Sequence, residues 1–228
     1  MKRLIVGNWK MNPLRLEEAE KMIKDIEELL NDSSEVVVCP PFLFISELKK
    51  ITRRIKIGAQ DCSFKNELSL TGEISPMMLK NLGVDYVIIG HSERRNYIKE
   101  TSFIINQKIN AAQEAGLSVI LCVGEKDQED AKRAVEKQLL IELNGIEREV
   151  VVAYEPVWAI GSGRSLDPDM AEDIKEFIHK RFNIDRILYG GSVKIENAER
   201  YLEKASFSGL LIGGASLNPD EFAKIASI

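Results

Sequence analysis

Tyr-Val-Ile-Ile-Gly-His-Ser-Glu, residues 86–93, is an unbroken apolar run that ends in a glycine and three polar side chains. A strand with one wet face alternates apolar and polar residues, whereas a continuous β-branched run fits a strand covered on both faces, as in a parallel sheet. The same kind of run recurs at Leu4–Val6, Val36–Cys39, Ile55–Ala59, Val119–Val123, Val150–Ala153, Ile187–Tyr189 and Leu210–Ile212. Helical stretches separate the runs. In Leu16–Leu30, Leu16, Ala19, Ile23, Ile26 and Leu30 repeat at intervals of three and four and form one buried stripe. Ser75-Pro76, Asp167-Pro168 and Asn218-Pro219 each set a capping side chain before a proline, a helix-start signal. Asn31 and Gly116 stand where helices should stop. Eight strand–helix units in 228 residues give about 28 residues each, which predicts a closed (β/α)8 barrel. The alternative, an open doubly wound sheet, carries a GxGxxG turn after its first strand. Here that strand runs into Gly7-Asn8-Trp9-Lys10. No linker or low-complexity tract divides the chain, so residues 1–228 read as one barrel domain.

Composition narrows the function. Lys and Arg number 31 against 36 Asp and Glu, a net charge of −5 that argues against a nucleic-acid or membrane-surface partner. No apolar stretch approaches the ~18 residues of a membrane span. The start, MKRLIVGNWK, holds too few apolar residues for a signal peptide. Cys39, Cys62 and Cys122 form no CxxC pair and read as reduced thiols of a cytoplasmic protein. With only His91 and His179, a histidine-based metal site is not expected.

Barrels of this class carry their chemistry just past the C-terminal ends of the strands. Those positions hold Asn8 and Lys10 after the first run, His91, Ser92 and Glu93 after the fourth, and Glu155 after the sixth. Gly190-Gly191-Ser192 and Gly213-Gly214 follow the last two. Any one of these is equally compatible with ordinary turn chemistry; together they offer a cation, an imidazole, a carboxylate and two glycine turns on one face. Glycine lets backbone N–H groups approach a phosphate closely, and Ser192 adds a hydroxyl. His91 precedes what reads as the first turn of a helix, whose dipole disfavours the imidazolium. Pro156–Gly163 reads as a lid: Pro156 fixes the entry, Val157, Trp158, Ala159 and Ile160 form an apolar body, and Gly161, Ser162 and Gly163 follow. Exposed Trp158 and Ile160 would be costly in a loop that never closed; a rigid, packed loop is the other reading.

The segments NWKMN (8–12), CPPF (39–42), GAQD (58–61), TGEIS (71–75), HSERR (91–95), CVGE (122–125), AYEPVWAIGSG (153–163), YGGSV (189–193) and GGASL (213–217) stand in the order found in the triosephosphate isomerase family. The resemblance spans residues 4–217. It implies the (β/α)8 fold and the interconversion of dihydroxyacetone phosphate and D-glyceraldehyde 3-phosphate through an enediolate, in glycolysis and gluconeogenesis, without a cofactor. It implies that Glu155 shuttles a proton between C1 and C2, that His91 acts as electrophile, and that Asn8 and Lys10 contact substrate. Glu93 and Cys122 are implied near the catalytic centre, although Cys122 reads equally as a small buried hydrophobe. Gly161, Ser192, Gly213 and Gly214 are the implied phosphate cradle. The loop Asp61–Gly72 is implied to enter a second subunit, giving a homodimer or a tetramer built on it.

Three stretches depart from the family pattern. Ser162 and Arg164 stand where Thr and Lys are common, and Arg164-Ser165-Leu166 replaces the usual Lys-Thr-Ala at the lid exit. Asn66–Leu70 lacks Gly-Ala-Phe before Thr-Gly-Glu. The chain is shorter than the roughly 250 residues usual for the barrel, with the shortening expected around 126–148 and 170–186.

Overall fold

The computed structural model describes residues 2–66, 69–161 and 163–228. Successive residues of a strand point to opposite faces, and here both faces are apolar. Leu4, Val6, Val37, Cys39, Ile88 and Ile120 belong to a cluster made of strand residues only, which fills the interior of a barrel. Their strand neighbours Ile5, Val36, Val38, Ile57 and Ile89 pack instead with helix residues such as Ile23, Ile26, Ile105 and Ile178. That double burial is the physical reason for the unbroken apolar runs.

The strands are β1 (Arg3–Asn8), β2 (Ser34–Cys39), β3 (Lys56–Ala59), β4 (Tyr86–Ile89), β5 (Ser118–Val123), β6 (Val151–Tyr154), β7 (Ile187–Tyr189) and β8 (Gly209–Ile212). They follow one another around a closed barrel in chain order. Each pairs parallel with the next, and β8 returns to β1 with Leu4 opposite Gly209 and Gly7 opposite Ile212. The fold is the expected (β/α)8 barrel. All eight sequence runs are strands; β4 and β7 match to the residue and the others differ by one or two residues at their ends.

The outer layer comprises α1 (Leu16–Leu29), α2 (Ile45–Ile51), α3 (Pro76–Asn81), α4 (Ser102–Glu114), α5 (Ala131–Glu142), α6 (Pro168–Phe182), α7 (Ile195–Glu199) and α8 (Pro219–Ala226). The three cap signals work as read. The Ser75 side chain accepts from Met78 N–H, Asp167 from Asp169 N–H and Asn218 from Glu221 N–H. α1 ends at Leu29, with Leu30 as its cap, and α4 stops before Gly116, whose φ is +81°. The segments expected to be shortened hold α5 and α6 at 12 and 15 residues, while α2 and α3 have only 7 and 6. No helix among the described residues is long and apolar enough to cross a membrane.

At the N-terminal end of the barrel a charge cluster ties four sectors together. Glu35 of β2 accepts from Lys56 Nζ at the start of β3 (2.7 Å), from the Tyr86 hydroxyl at the start of β4 (2.7 Å) and from Arg186 beside β7 (2.6 Å). Burial alone would raise the Glu35 carboxyl, but these three donors outweigh it and bring it from 4.5 down to about 2. A lowered folded-state value stabilises the fold fully above the ordinary carboxylate range, and the contribution fades as pH falls towards 2. Glu35→Gln should therefore cost on the order of 1–2 kcal/mol at pH 7, the range for a partly exposed charged network. Urea unfolding at a series of pH values checks this: the gap between parent and variant should close towards pH 2, and a gap independent of pH refutes the electrostatic origin.

Candidate active site

At the opposite, C-terminal end the strand termini surround a cavity of about 450 Å³. Asn8, Lys10, His91 and Glu155 stand on its wall together with Gly161, Ser192, Gly213 and Gly214. Residues more than two hundred positions apart in sequence, Asn8 and Gly214, are thus gathered by closure of the barrel.

The Lys10 backbone is in the left-handed region, φ +54°, which costs a non-glycine residue roughly 1–2 kcal/mol. Two side chains hold it there. Asn8 Oδ1 accepts from Lys10 N–H (3.1 Å), and Gln60 Nε2 donates to the Lys10 carbonyl (2.7 Å) and to that of Cys39 (2.9 Å). The strained backbone sets the Lys10 side chain beside the Gly213 turn, its Cε 3.7 Å from where a Cβ on Gly213 would lie. Its Nζ meets Glu93 Oε1 at 2.5 Å.

His91 follows Gly90 at the end of β4 and caps the helical turn that begins at Ser92. Its Nδ1 accepts from Glu93 N–H at 3.2 Å, and its carbonyl accepts from the N–H groups of Arg94 and Arg95. A backbone N–H can only donate, so this bond selects the tautomer with the proton on Nε2. Glu93 Oε2 lies 3.5 Å from the same Nδ1, placing Glu93 between Lys10 and His91 rather than on the cavity wall. His91 Nε2 faces Glu155 Oε1 at 3.3 Å.

Glu155 is 3 % exposed, and its Oε2 is buried without a hydrogen-bond partner. Leaving such an atom unsatisfied costs about 1–3 kcal/mol; among the described residues Asn66 Oδ1, Glu100 Oε2 and Arg186 Nε share that condition. The Cys122 thiol is fully buried beside it. Burial first, and the Glu155 carboxylate second, push that thiol well above its ordinary value. Cys122 is thus both things the sequence allowed, a small buried side chain and a neighbour of Glu155.

Of the lid, Ile160, Gly161 and Gly163 reach the cavity, whereas Pro156, Val157, Trp158 and Ala159 do not line it. Ser162 lies outside the described residues. Trp158 is half-buried rather than exposed, because its Nε1 donates to Glu125 Oε1 at 2.9 Å and the Arg164 guanidinium sits 4.9 Å over its ring. Glu125 also accepts from the Tyr154 hydroxyl (3.1 Å). Burial raises its carboxyl above 4.5, against the opposing pull of these donors. At the lid exit, Leu166 N–H donates to the Tyr189 hydroxyl (3.2 Å), and the Tyr201 hydroxyl donates to the Leu166 carbonyl (2.5 Å). The two tyrosine rings stack at 3.8 Å. Both ends of the lid are therefore fastened.

A family model described as triosephosphate isomerase matches residues 3–228. The chain belongs to the triosephosphate isomerase family. Curated relatives bearing that name include one from Aquifex aeolicus, 40 % identical over 99 % of this chain and 98 % of its own length. Relatives from Dictyoglomus thermophilum and Carboxydothermus hydrogenoformans are 42 % and 43 % identical, each over 98 % of this chain and 98 % and 97 % of their own lengths.

Against this family background, Glu125, Gln60, Tyr189 and Tyr201 are the site's unannounced members. Glu125 and Gln60 were visible within the quoted motifs, but their partners are 33 and 50 residues away and no spacing announces them.

Lys10 lines the same cavity as the glycine turns, His91 and Glu155. Lys10→Met should raise KM at least tenfold and lower kcat by about 10²–10³, the scale of losing one electrostatic stabiliser. Steady-state kinetics measure both. Values within twofold of the parent would make Lys10 a solvated surface charge.

Proposed function

We propose that Glu155, His91 and Lys10 carry out the isomerisation that membership of the family assigns to this chain, dihydroxyacetone phosphate to D-glyceraldehyde 3-phosphate. The observation that carries the assignment is the buried, unpartnered Oε2 of Glu155, with Oε1 3.3 Å from His91 Nε2. Glu155 takes a proton from C1, and the electron pair moves to the C1–C2 bond and on to the C2 oxygen. His91, protonated on Nε2, donates a hydrogen bond to the substrate oxygen as negative charge develops there. The C1 hydroxyl then passes its proton, by way of His91 Nε2, to the C2 oxygen, the C1 oxygen becomes the aldehyde carbonyl, and Glu155 returns its proton to C2, so the reaction balances without a cofactor. Lys10 stabilises the enediolate, Asn8 orients it, and Glu93 positions Lys10 and His91. Gly161, Ser192, Gly213 and Gly214 hold the phosphate, and the lid excludes water while the intermediate exists.

Glu155→Gln keeps the shape of the side chain and removes the base. It should leave binding of phosphoglycolate within about tenfold and lower kcat by at least ~10³. A coupled assay with glyceraldehyde 3-phosphate reads the rate. A variant with more than a tenth of the parent kcat removes Glu155 from the mechanism.

The working unit we place in this reading is a homodimer of one-domain chains, in which a second copy covers the site's rim. Met11, Leu14, Leu43 and Tyr97 are each at least 80 % exposed, and Met11 and Tyr97 follow directly on the Lys10 and His91 segments. Large apolar side chains concentrated at a site's edge mark an interface. Thr71 and Gly72 are exposed at the end of the loop Asp61–Gly72. The base of that loop is fixed by the buried Asp61, which pairs with Lys108 (2.6 Å) and Arg94 (2.9 Å). A tetramer containing the same dimer is compatible. The reaction belongs to glycolysis and gluconeogenesis, and three free buried cysteines support a reducing compartment such as the cytoplasm. The double substitution Met11→Asp, Leu43→Asp should give a folded monomer in sedimentation, with kcat reduced at least tenfold. A monomer as active as the parent at micromolar concentration overturns the dimer.

A further inference from the structure

Gly124, between β5 and α5, is locked on every side. The backbone on either side of it grips the segment that bears the base: Val123 O accepts from Glu155 N–H (2.8 Å), and Glu125 O accepts from Val157 N–H (3.0 Å). Gly124 itself passes so close beneath Glu155 that a Cβ added to it would lie 1.8 Å from the Glu155 carbonyl oxygen. Its backbone polar groups both turn outward to one side chain. Gly124 N–H donates to Gln138 Oε1 (3.0 Å), and Gln138 Nε2 donates back to the Gly124 carbonyl (2.9 Å). Gln138 is half-buried on α5, between Val135 and Leu139, which are fully buried and fix that stretch of the helix against the core. A primary amide carries a donor and an acceptor side by side and can satisfy a backbone N–H and the same residue's C=O together, imitating the edge of another strand.

We infer that Gln138 is a positioning residue for the catalytic base: it holds Gly124 as the rigid floor on which the Glu155 backbone rests. The inference rests on the reading of Glu155 as the base. Ser192, Gly213 and Gly214, on the turns after β7 and β8, take no part in the Gly124–Gln138 hydrogen bonds, so loosening Gly124 should displace the carboxylate more than it releases the substrate. A shift of about 1 Å in a reacting group can lower a rate by ~10²-fold.

The test is Gln138→Met, which keeps the length of the side chain and removes both hydrogen bonds, alone and combined with Glu155→Gln. Gln138→Met should lower kcat by about 10–100-fold with KM within threefold. In the Glu155→Gln background the same change should cost less than twofold, because residues acting through one group are not additive. Should Gln138→Met fail to fold, Gln138→Asn keeps the amide but retracts it by one methylene and should show the same loss confined to kcat. A folded variant with kcat within twofold of the parent overturns the proposal, as does an equal loss in both backgrounds, which marks a general structural role. A fully active Glu155→Gln enzyme defeats the reading of the base, whereas an unaffected Gln138 variant beside an inactive Glu155→Gln defeats only the positioning role.

Discussion

The seam at which β8 returns to β1 is the constraint on which everything else hangs. Leu4 stands opposite Gly209 there, and Leu4 N–H donates to the Ser208 carbonyl at 3.0 Å. The two chains approach so closely that a Cβ on residue 209 would lie 1.9 Å from the Leu4 carbonyl oxygen. Only glycine permits that approach. A larger residue would have to push β8 outwards, and a barrel that does not close becomes an open sheet with two unpaired edges. Closure brings the ends of β1, β4, β6, β7 and β8 round a common axis, and without it Lys10 and Glu155 would belong to distant parts of a surface. Trp9, fully buried, fastens the same seam at the reactive end by donating to the Ser216 carbonyl.

The two ends of the barrel have different tasks, and their electrostatics differ accordingly. At the N-terminal end Glu35 is surrounded by donors and its charge is fully compensated, so the cluster serves stability. At the C-terminal end Glu155 is left with an oxygen lacking any donor, and Lys10 is held in a backbone conformation that it would not choose. Such strain persists only where the surroundings over-determine it. Here they do: Asn8 and Gln60 fix Lys10, Glu93 fixes His91, and the segment from Val123 to Glu125 fixes Glu155. Stability lost around the reacting groups is offset by bonding one layer out.

Much of this was legible in the sequence because it depends on local or periodic signals. The eight apolar runs are strands since both faces of every strand are covered, and Ser75, Asp167 and Asn218 cap helices because capping is decided within three residues. That Asn8, Lys10, His91 and Glu155 line one cavity followed from the rule that such barrels gather their polar side chains at the C-terminal strand ends. Ties between distant segments were not legible. Gln138 with Gly124, Tyr201 with Leu166 and Glu35 with Arg186 pair residues 14, 35 and 151 positions apart, and a hydrogen bond of that span leaves no period or spacing behind. Strand ends also moved: the run read at Val150–Ala153 is β6 at Val151–Tyr154, because Tyr154 reaches Glu125 with its hydroxyl and still pairs within the sheet. In the lid, Trp158 is packed on Glu125 and Arg164, in line with the packed-loop reading.

The chain contains two tryptophans, and they lie in opposite circumstances. Trp9 is sealed in the barrel seam, while the Trp158 indole is held between a carboxylate and a guanidinium on the segment whose Ile160, Gly161 and Gly163 border the cavity. Indole emission responds to nearby charge and to the loss of an Nε1 hydrogen bond, so Trp9 supplies a constant background and Trp158 a signal. The intrinsic fluorescence of the unlabelled protein is therefore a probe of that contact. Its relaxation after a temperature jump reports how fast the Trp158–Glu125 contact breaks and reforms, independently of any turnover.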